Sequence, residues 1–239
     1  MRLETEPAVT YAVGDVHGCL DQLRALETLI VADAAGIDGE KLIVMLGDYV
    51  DRGPASAQVI DHLLAPPPEG FIRICLGGNH EAAMLAFLSG EDADGDWLGF
   101  GSEATLASYG MGLNEFTGSA TEIRRAALPL VPAEHREFLM AQPVLVETPH
   151  HIFAHAGVRP GVALEAQTDE DLLWFRDGFA ADYGEFGKVV VHGHTPLREP
   201  FVSAHRIDVD TMAFATGRLT AVRLMAGKAP AFLATGRGN

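Results

Sequence analysis

Cysteine is scarce in this chain. Cys19 and Cys75 are the only two, too few for the disulfide frameworks that hold small secreted domains together. Positive charge is scarce as well, with 17 Lys and Arg against 33 Asp and Glu and a formal net charge of −16. That balance excludes a sequence-independent grip on a nucleic-acid backbone, which needs clustered cations. Long apolar runs are missing: no uninterrupted stretch approaches the ~20 residues of a membrane span. The opening Met1-Arg2-Leu3-Glu4-Thr5-Glu6-Pro7 has no apolar signal-peptide core. Neither a membrane partner nor secretion is therefore expected, and the cytoplasm is the expected compartment. Internal repeats, low-complexity tracts and flexible linkers are absent too, and Pro66-Pro67-Pro68 reads as a rigid turn.

What is present is enough apolar material for one core: 48% of 239 residues. One domain over residues 1–239 is expected. Five polar blocks stand where apolar runs stop. They are Gly14-Asp15-Val16-His17-Gly18, Gly47-Asp48-Tyr49-Val50-Asp51-Arg52-Gly53, Gly78-Asn79-His80-Glu81, His155-Ala156-Gly157 and His192-Gly193-His194-Thr195. Asp, Asn and His gathered in this way form a ligand set suited to Mn²⁺, Fe or Zn²⁺, and a two-metal hydrolytic site needs such groups.

Periodicity places the blocks. Residues 9–13 read as a buried strand, residues 41–46 and 71–76 as two further strands, and residues 19–35, 54–64 and 81–88 as helices, the second opened by Pro54. The first three blocks thus follow a strand and precede a helix, where open α/β sheets bind ligands. The second half is richer in strands, at residues 144–147, 151–154, 189–192, 206–209 and 219–224. Helical stretches at 122–128 and 133–141 join the halves. This order predicts an α/β sandwich of two facing mixed β-sheets flanked by helices, with the site at strand C-terminal ends. Residues 89–119 lack a clear period and read as a loop-like insertion on the substrate side.

With all five blocks in order from Asp15 to Thr195, the sequence resembles the calcineurin-like metallophosphoesterases, and within them the PPP-type serine/threonine phosphatases of bacteria and phage. In the longer eukaryotic members Arg usually precedes the GNHE block, where Gly77 stands here. The resemblance implies two divalent ions, Mn²⁺ first with Fe or Zn²⁺ as alternatives. Asp15 and His17 would hold one ion, Asp48 would bridge, and Asn79, His155 and His194 would complete the second. His80 would be the general acid, held by Asp51, while a metal-activated water or hydroxide attacks. Arg52, Arg176 and Asn79 would bind the substrate phosphate. The expected partner is a phosphorylated protein or peptide.

A rival on the same site is a symmetrical dinucleoside polyphosphate hydrolase. Such enzymes commonly have Ala where Asp51 stands and Asp where Glu81 stands, so these two residues favour the phosphoprotein branch. A non-catalytic metal-binding scaffold predicts loss of a ligand or of His80, and none is lost. Other residues have plainer explanations. Asp15 and Asp48 alone would read as helix caps, but their motifs favour metal binding. His62, His135, His150 and His205 belong to no motif and read as surface or structural, His192 as supporting the site or structural, and Cys19 as a structural thiol. Trp97 and Tyr109 divide between packing the insertion and lining a groove, and Asp92, Asp94 and Asp96 read as solvated loop charges.

Overall fold

The computed structural model of the chain describes residues 1–176 and 183–236. Its first half alternates strands and helices: β1 (Val9–Val13), α1 (Leu20–Asp33), β2 (Lys41–Met45), α2 (Ser56–Leu64), β3 (Phe71–Cys75) and α3 (Asn79–Ser89). Three short helices follow, α4 (Ser102–Ser108), α5 (Ala120–Ala127) and α6 (Ala133–Met140). The second half holds β4 (Leu145–Glu147), β5 (His151–Ala154), α7 (Asp169–Trp174), β6 (Val189–His192), β7 (Phe201–Val202), β8 (Arg206–Asp208), α8 (Ala213–Thr216), β9 (Thr220–Leu224) and β10 (Ala231–Ala234).

These strands form two five-stranded sheets, in the orders β10-β9-β1-β2-β3 and β4-β5-β6-β8-β7. Strands β1, β2 and β3 run parallel, as do β5, β6 and β8, while the β1–β9, β9–β10, β4–β5 and β7–β8 pairs are antiparallel. Side-chain alternation explains the packing. Val9, Tyr11, Val13, Ile43 and Met45 join the cluster beneath the helices. Ala12, Leu42 and Val44 point the other way, against Val146, Phe153, Val191 and Ile207 of the second sheet. The outer face of that sheet, with Ile152, Ala154 and Val190, is covered by Val158, Leu172 and Tyr183. Burial on both faces is why these strands read as unbroken apolar runs.

The structure shifts several expected boundaries. The helix expected from Pro54 begins at Ser56, because the Ala55 N–H donates to the Gly18 carbonyl at 3.1 Å and docks this turn on the first polar block. The helix expected at 81–88 begins at Asn79, so Asn79 and His80 lie in its first turn, not in a loop. Residues 89–119 are not loop-like: they contain α4 and two 3₁₀ turns, Asp96–Phe100 and Leu113–Phe116. The Asp92 carboxylate opens the first turn by accepting the N–H groups of Gly95, Asp96 and Trp97 at 2.9–3.1 Å, so it is a cap and not a solvated charge. Elements this short carry too few turns for periodicity to show. Helix α7 had a readable signal in its capping box, Thr168 with Asp171, whereas the two-residue β7 had none. Among the described residues no helix is long and apolar enough to cross a membrane.

Candidate dinuclear metal centre

The sheets bring the polar blocks together at the C-terminal ends of the parallel strands. The turn after β1 supplies Asp15 and His17, the turn after β2 supplies Asp48, Asp51 and Arg52, and the start of α3 supplies Asn79 and His80. His155 follows β5 and His194 follows β6. Asp15, His17, Asp48, Asn79, His80, His155 and His194 are none of them more than 5% exposed.

The backbone is forced to hold them there. His17, Asp48, Asp51, Arg52 and His194 all have positive φ, from 44° to 72°, which for non-glycine residues costs on the order of 1 kcal/mol each. The Glu81 carboxylate holds the second of these turns. It accepts the N–H groups of Asp48, Tyr49, Val50 and Gly78 at 2.7–3.1 Å, clamping the β2 turn to the start of α3. Gly193 is required for a different reason: a β-carbon there would overlap the Asp15 carboxylate.

Two groups of ligand atoms share Asp48: His17, Asp48 and His80, and Asp48, His155 and His194. His155 Nδ1 lies 2.9 Å from the Leu46 carbonyl, so its hydrogen belongs there and Nε2 keeps a lone pair. That lone pair faces Asn79 Oδ1 at 2.8 Å, His194 Nδ1 at 3.1 Å and Asp48 Oδ1 at 3.4 Å. His17 repeats the arrangement, with Nδ1 2.8 Å from the Val50 carbonyl and Nε2 3.5 Å from Asp48 Oδ2. Nitrogen and oxygen lone pairs converging out of contact with water fit a cation of borderline hardness. Asp15 belongs to neither of these two groups but is tied to the cluster, both its oxygens accepting the His194 N–H at 3.2 Å.

The electrostatics agree. Burial, followed by Asp210 and Asp48, raises the Asp15 carboxyl well above its ordinary range, and burial raises Asp48 too. Burial likewise lowers His17 and His155 well below 6.5 and His194 to about 3. The imidazoles are thus neutral, the form that binds metal, and a divalent charge among the carboxylates reverses the cost of ionising them.

His80 differs from the other site histidines. Its Nδ1 lies 2.7 Å from Asp51 Oδ2, and its Nε2 lies 3.2 Å from Arg52 Nη2. Burial works against its charged form, yet Asp48 and the Asp51 hydrogen bond outweigh it and leave the pKa raised. Arg52 Nη1 also reaches His17 Nε2 at 3.0 Å, and its guanidinium lies over Phe214 at 4.8 Å. Phe100 packs on His80 at 5.4 Å between ring centres, with Trp174 beyond it at 6.0 Å. Arg176 is exposed, and its charge acts on both His194 and Asp210. His192 is buried behind the site, its Nδ1 2.8 Å from the Gly193 carbonyl and its Nε2 accepting from Arg206 Nε at 2.7 Å. Of the motif-free histidines, His135 is buried and bridges Tyr109 and Asp61. Burial pushes the Cys19 thiol up to about 11, which suits a structural role.

Asp210 was not singled out by the sequence, because it belongs to no block. It is buried just beyond β8, its Oδ1 accepting the Met212 N–H at 2.9 Å. Burial, with a contribution from Asp48, raises its pKa from 3.8 to about 6. A carboxyl raised on folding costs nothing below its unfolded pKa, and its cost grows to a plateau as pH rises through the folded value. In the metal-free protein, Asp210→Asn should therefore raise Tm near pH 7.5, by as much as about 3 kcal/mol of stability. The gain should vanish near pH 4. Thermal melts with chelator at both pH values check this, and an equal gain at both would rule out the charge as its cause.

Two stacked mixed sheets carrying this Asp, Asn and His cluster at their strand ends define a metallophosphoesterase. The profile of the calcineurin-like phosphoesterases matches residues 9–216, and the chain belongs to that family. Among curated proteins it is similar to the asymmetrical bis(5'-nucleosyl)-tetraphosphatase PrpE of Halalkalibacterium halodurans, 27% identical over 88% of each chain. The PrpE of Bacillus subtilis strain 168 is 25% identical at the same coverage. Among solved structures, one provisionally assigned as a diadenosine tetraphosphatase matches with a TM-score of 0.68 at 20% identity, covering 100% of this chain and 98% of that one. A cold-active protein tyrosine phosphatase gives 0.64 at 18%, over 96% of this chain and 80% of that one. A serine/threonine phosphatase of Saccharomyces cerevisiae gives 0.55 at 14%, over 95% and 76%.

Proposed function

We propose that this metallophosphoesterase is a phosphomonoesterase acting on phosphoserine and phosphothreonine in proteins, with two divalent ions, Mn²⁺ foremost. Asp15 and His17 would hold one ion, Asp48 would serve both, and Asn79, His155 and His194 would hold the other. When bound, the ions supply Lewis acidity that activates water and neutralises phosphoryl charge. Asn79 contributes a neutral amide oxygen, which limits the negative charge facing the substrate. Arg52 and Arg176 offer guanidinium donors to the phosphate oxygens. His80 carries a proton on Nε2 to the departing oxygen, and Asp51 fixes the ring through Nδ1–H.

The observation that carries this reading is the His80–Asp51 pair, 2.7 Å apart and buried. A held acid matters most where the leaving group is strongly basic, as a serine or threonine alkoxide is. Cleavage within a polyphosphate expels a weakly basic phosphate, which has less need of it. The unpaired Cys19 and Cys75 suit a reducing compartment, and we place the enzyme in the cytoplasm.

A second reading has its own support, since the PrpE relatives match 88% of the chain and are named for tetraphosphatase activity. They are named asymmetrical, so the nucleotide rival to test gives ATP and AMP from diadenosine tetraphosphate, not the two ADP expected of a symmetrical enzyme. The test is turnover of Mn²⁺-loaded protein on phosphoserine and phosphothreonine peptides and on diadenosine tetraphosphate, with products separated by chromatography. The proposal expects a higher kcat/KM on the peptides. Preferential release of ATP and AMP would replace it with the nucleotide reading.

A further inference from the structure

Asp51 is reached from a part of the chain that no catalytic block supplies. Its carboxylate is fully buried, and besides His80 Nδ1 it accepts two further donors. Trp97 Nε1–H donates to Oδ2 at 2.9 Å and the Thr105 hydroxyl donates to Oδ1 at 2.8 Å. Both come from the 89–119 segment, Trp97 from its first 3₁₀ turn and Thr105 from α4.

The hydroxyl of Thr105 is placed to donate to Asp51. The Asp51 main-chain N–H donates to Thr105 Oγ1 at 2.7 Å, so the hydroxyl hydrogen is free to go to Asp51 Oδ1. Ser56 Oγ lies 3.0 Å from Thr105 Oγ1 and accepts the same Asp51 N–H at 3.2 Å. Trp97 is equally fixed, fully buried with its ring 5.2 Å from that of Phe87. The Arg52 N–H donates to the Gly101 carbonyl at 3.1 Å and ties the segment's backbone to the same turn. Asp51 sits in that turn at φ +72°, so its side-chain direction depends on its partners rather than on a relaxed backbone.

We infer that Trp97 and Thr105 are positioning residues for the leaving-group acid, setting the plane of the Asp51 carboxylate so that it orients His80. The inference rests on the assignment of His80 as that acid. The insertion then does more than border the substrate, because it supplies two of the three side chains that hold the acid's partner. Without the indole N–H or the threonine hydroxyl the carboxylate can rotate about its χ angles, and His80 Nε2 loses its aim at the departing oxygen.

The experiment is a leaving-group series on Mn²⁺-loaded protein, comparing p-nitrophenyl phosphate, phenyl phosphate and a phosphoserine peptide. The variants are Trp97→Phe, Thr105→Val, Thr105→Ser and His80→Asn. An acid matters least for nitrophenolate and most for an alkoxide, so loss of aim steepens the series, while a general loss of folded enzyme lowers all three rates alike. His80→Asn should steepen it most. Trp97→Phe and Thr105→Val should lower the peptide-to-nitrophenyl ratio on the order of tenfold, and Thr105→Ser should restore it. A steep His80→Asn series with unchanged ratios in Trp97→Phe and Thr105→Val overturns the inference alone. A flat series in His80→Asn overturns the acid assignment and the inference with it.

Discussion

Asp48→Asn should abolish most turnover and leave less than two metal ions per chain. Asp48 is the one residue common to both ligand groups, so its loss of charge is felt twice. Oδ1 lies 3.4 Å from His155 Nε2 and Oδ2 lies 3.5 Å from His17 Nε2. An amide can present oxygen to only one of these sides, and its NH₂ offers no lone pair to the other. Oδ1 also accepts the His80 N–H at 3.1 Å, a bond asparagine can keep, so the turn should stay folded. A loss of kcat on the order of 10³ is expected, the scale of removing a preorganised electrostatic stabiliser. Elemental analysis after dialysis reads the metal, and peptide turnover reads the activity. Two ions per chain with wild-type turnover would refute the assignment of Asp48 as the shared ligand.

His80→Asn should separate chemistry from metal binding. The His80 pKa is raised despite burial, by Asp48 and by its hydrogen bond to Asp51, so the ring can carry the proton that the proposed acid role requires. Removing it should lower kcat on phosphopeptides by about 10² to 10⁴. Metal content should not change, because His17, Asp48, Asn79, His155 and His194 are untouched. Asp51 keeps Trp97 and Thr105 as donors, so the buried carboxylate is not abandoned and Tm should fall only slightly. Loss of one bound ion in parallel with activity would instead make His80 a ligand, completing its group with His17 and Asp48.

Much of the centre was legible because each block ends an apolar run. A strand buried on both faces has to stop where polar groups begin, so motif and strand end coincide at Asp15, Asp48, His155 and His194. The start of α3 was misplaced for the opposite reason. Asn79 and His80 read as loop residues because polar side chains at a helix start break no apolar pattern. Glu81 stood in plain view inside its motif, but nothing in Gly-Asn-His-Glu says that its carboxylate collects N–H groups from a turn about 30 residues earlier.

By itself the sequence determined the family-defining blocks, their order, the two-sheet α/β plan and the side of the sheets on which the chemistry lies. These follow from local rules, since strand alternation, glycine at tight turns and the ligand types are written residue by residue. Only the tertiary structure decided what reaches Asp51, which carboxylates besides the ligands share the site, and what residues 89–119 do. Trp97, Thr105 and Asp210 act from 46, 54 and 162 positions away from Asp51 or Asp48. Contacts at such separations depend on how the helices and the second sheet pack, and local periodicity carries no record of that.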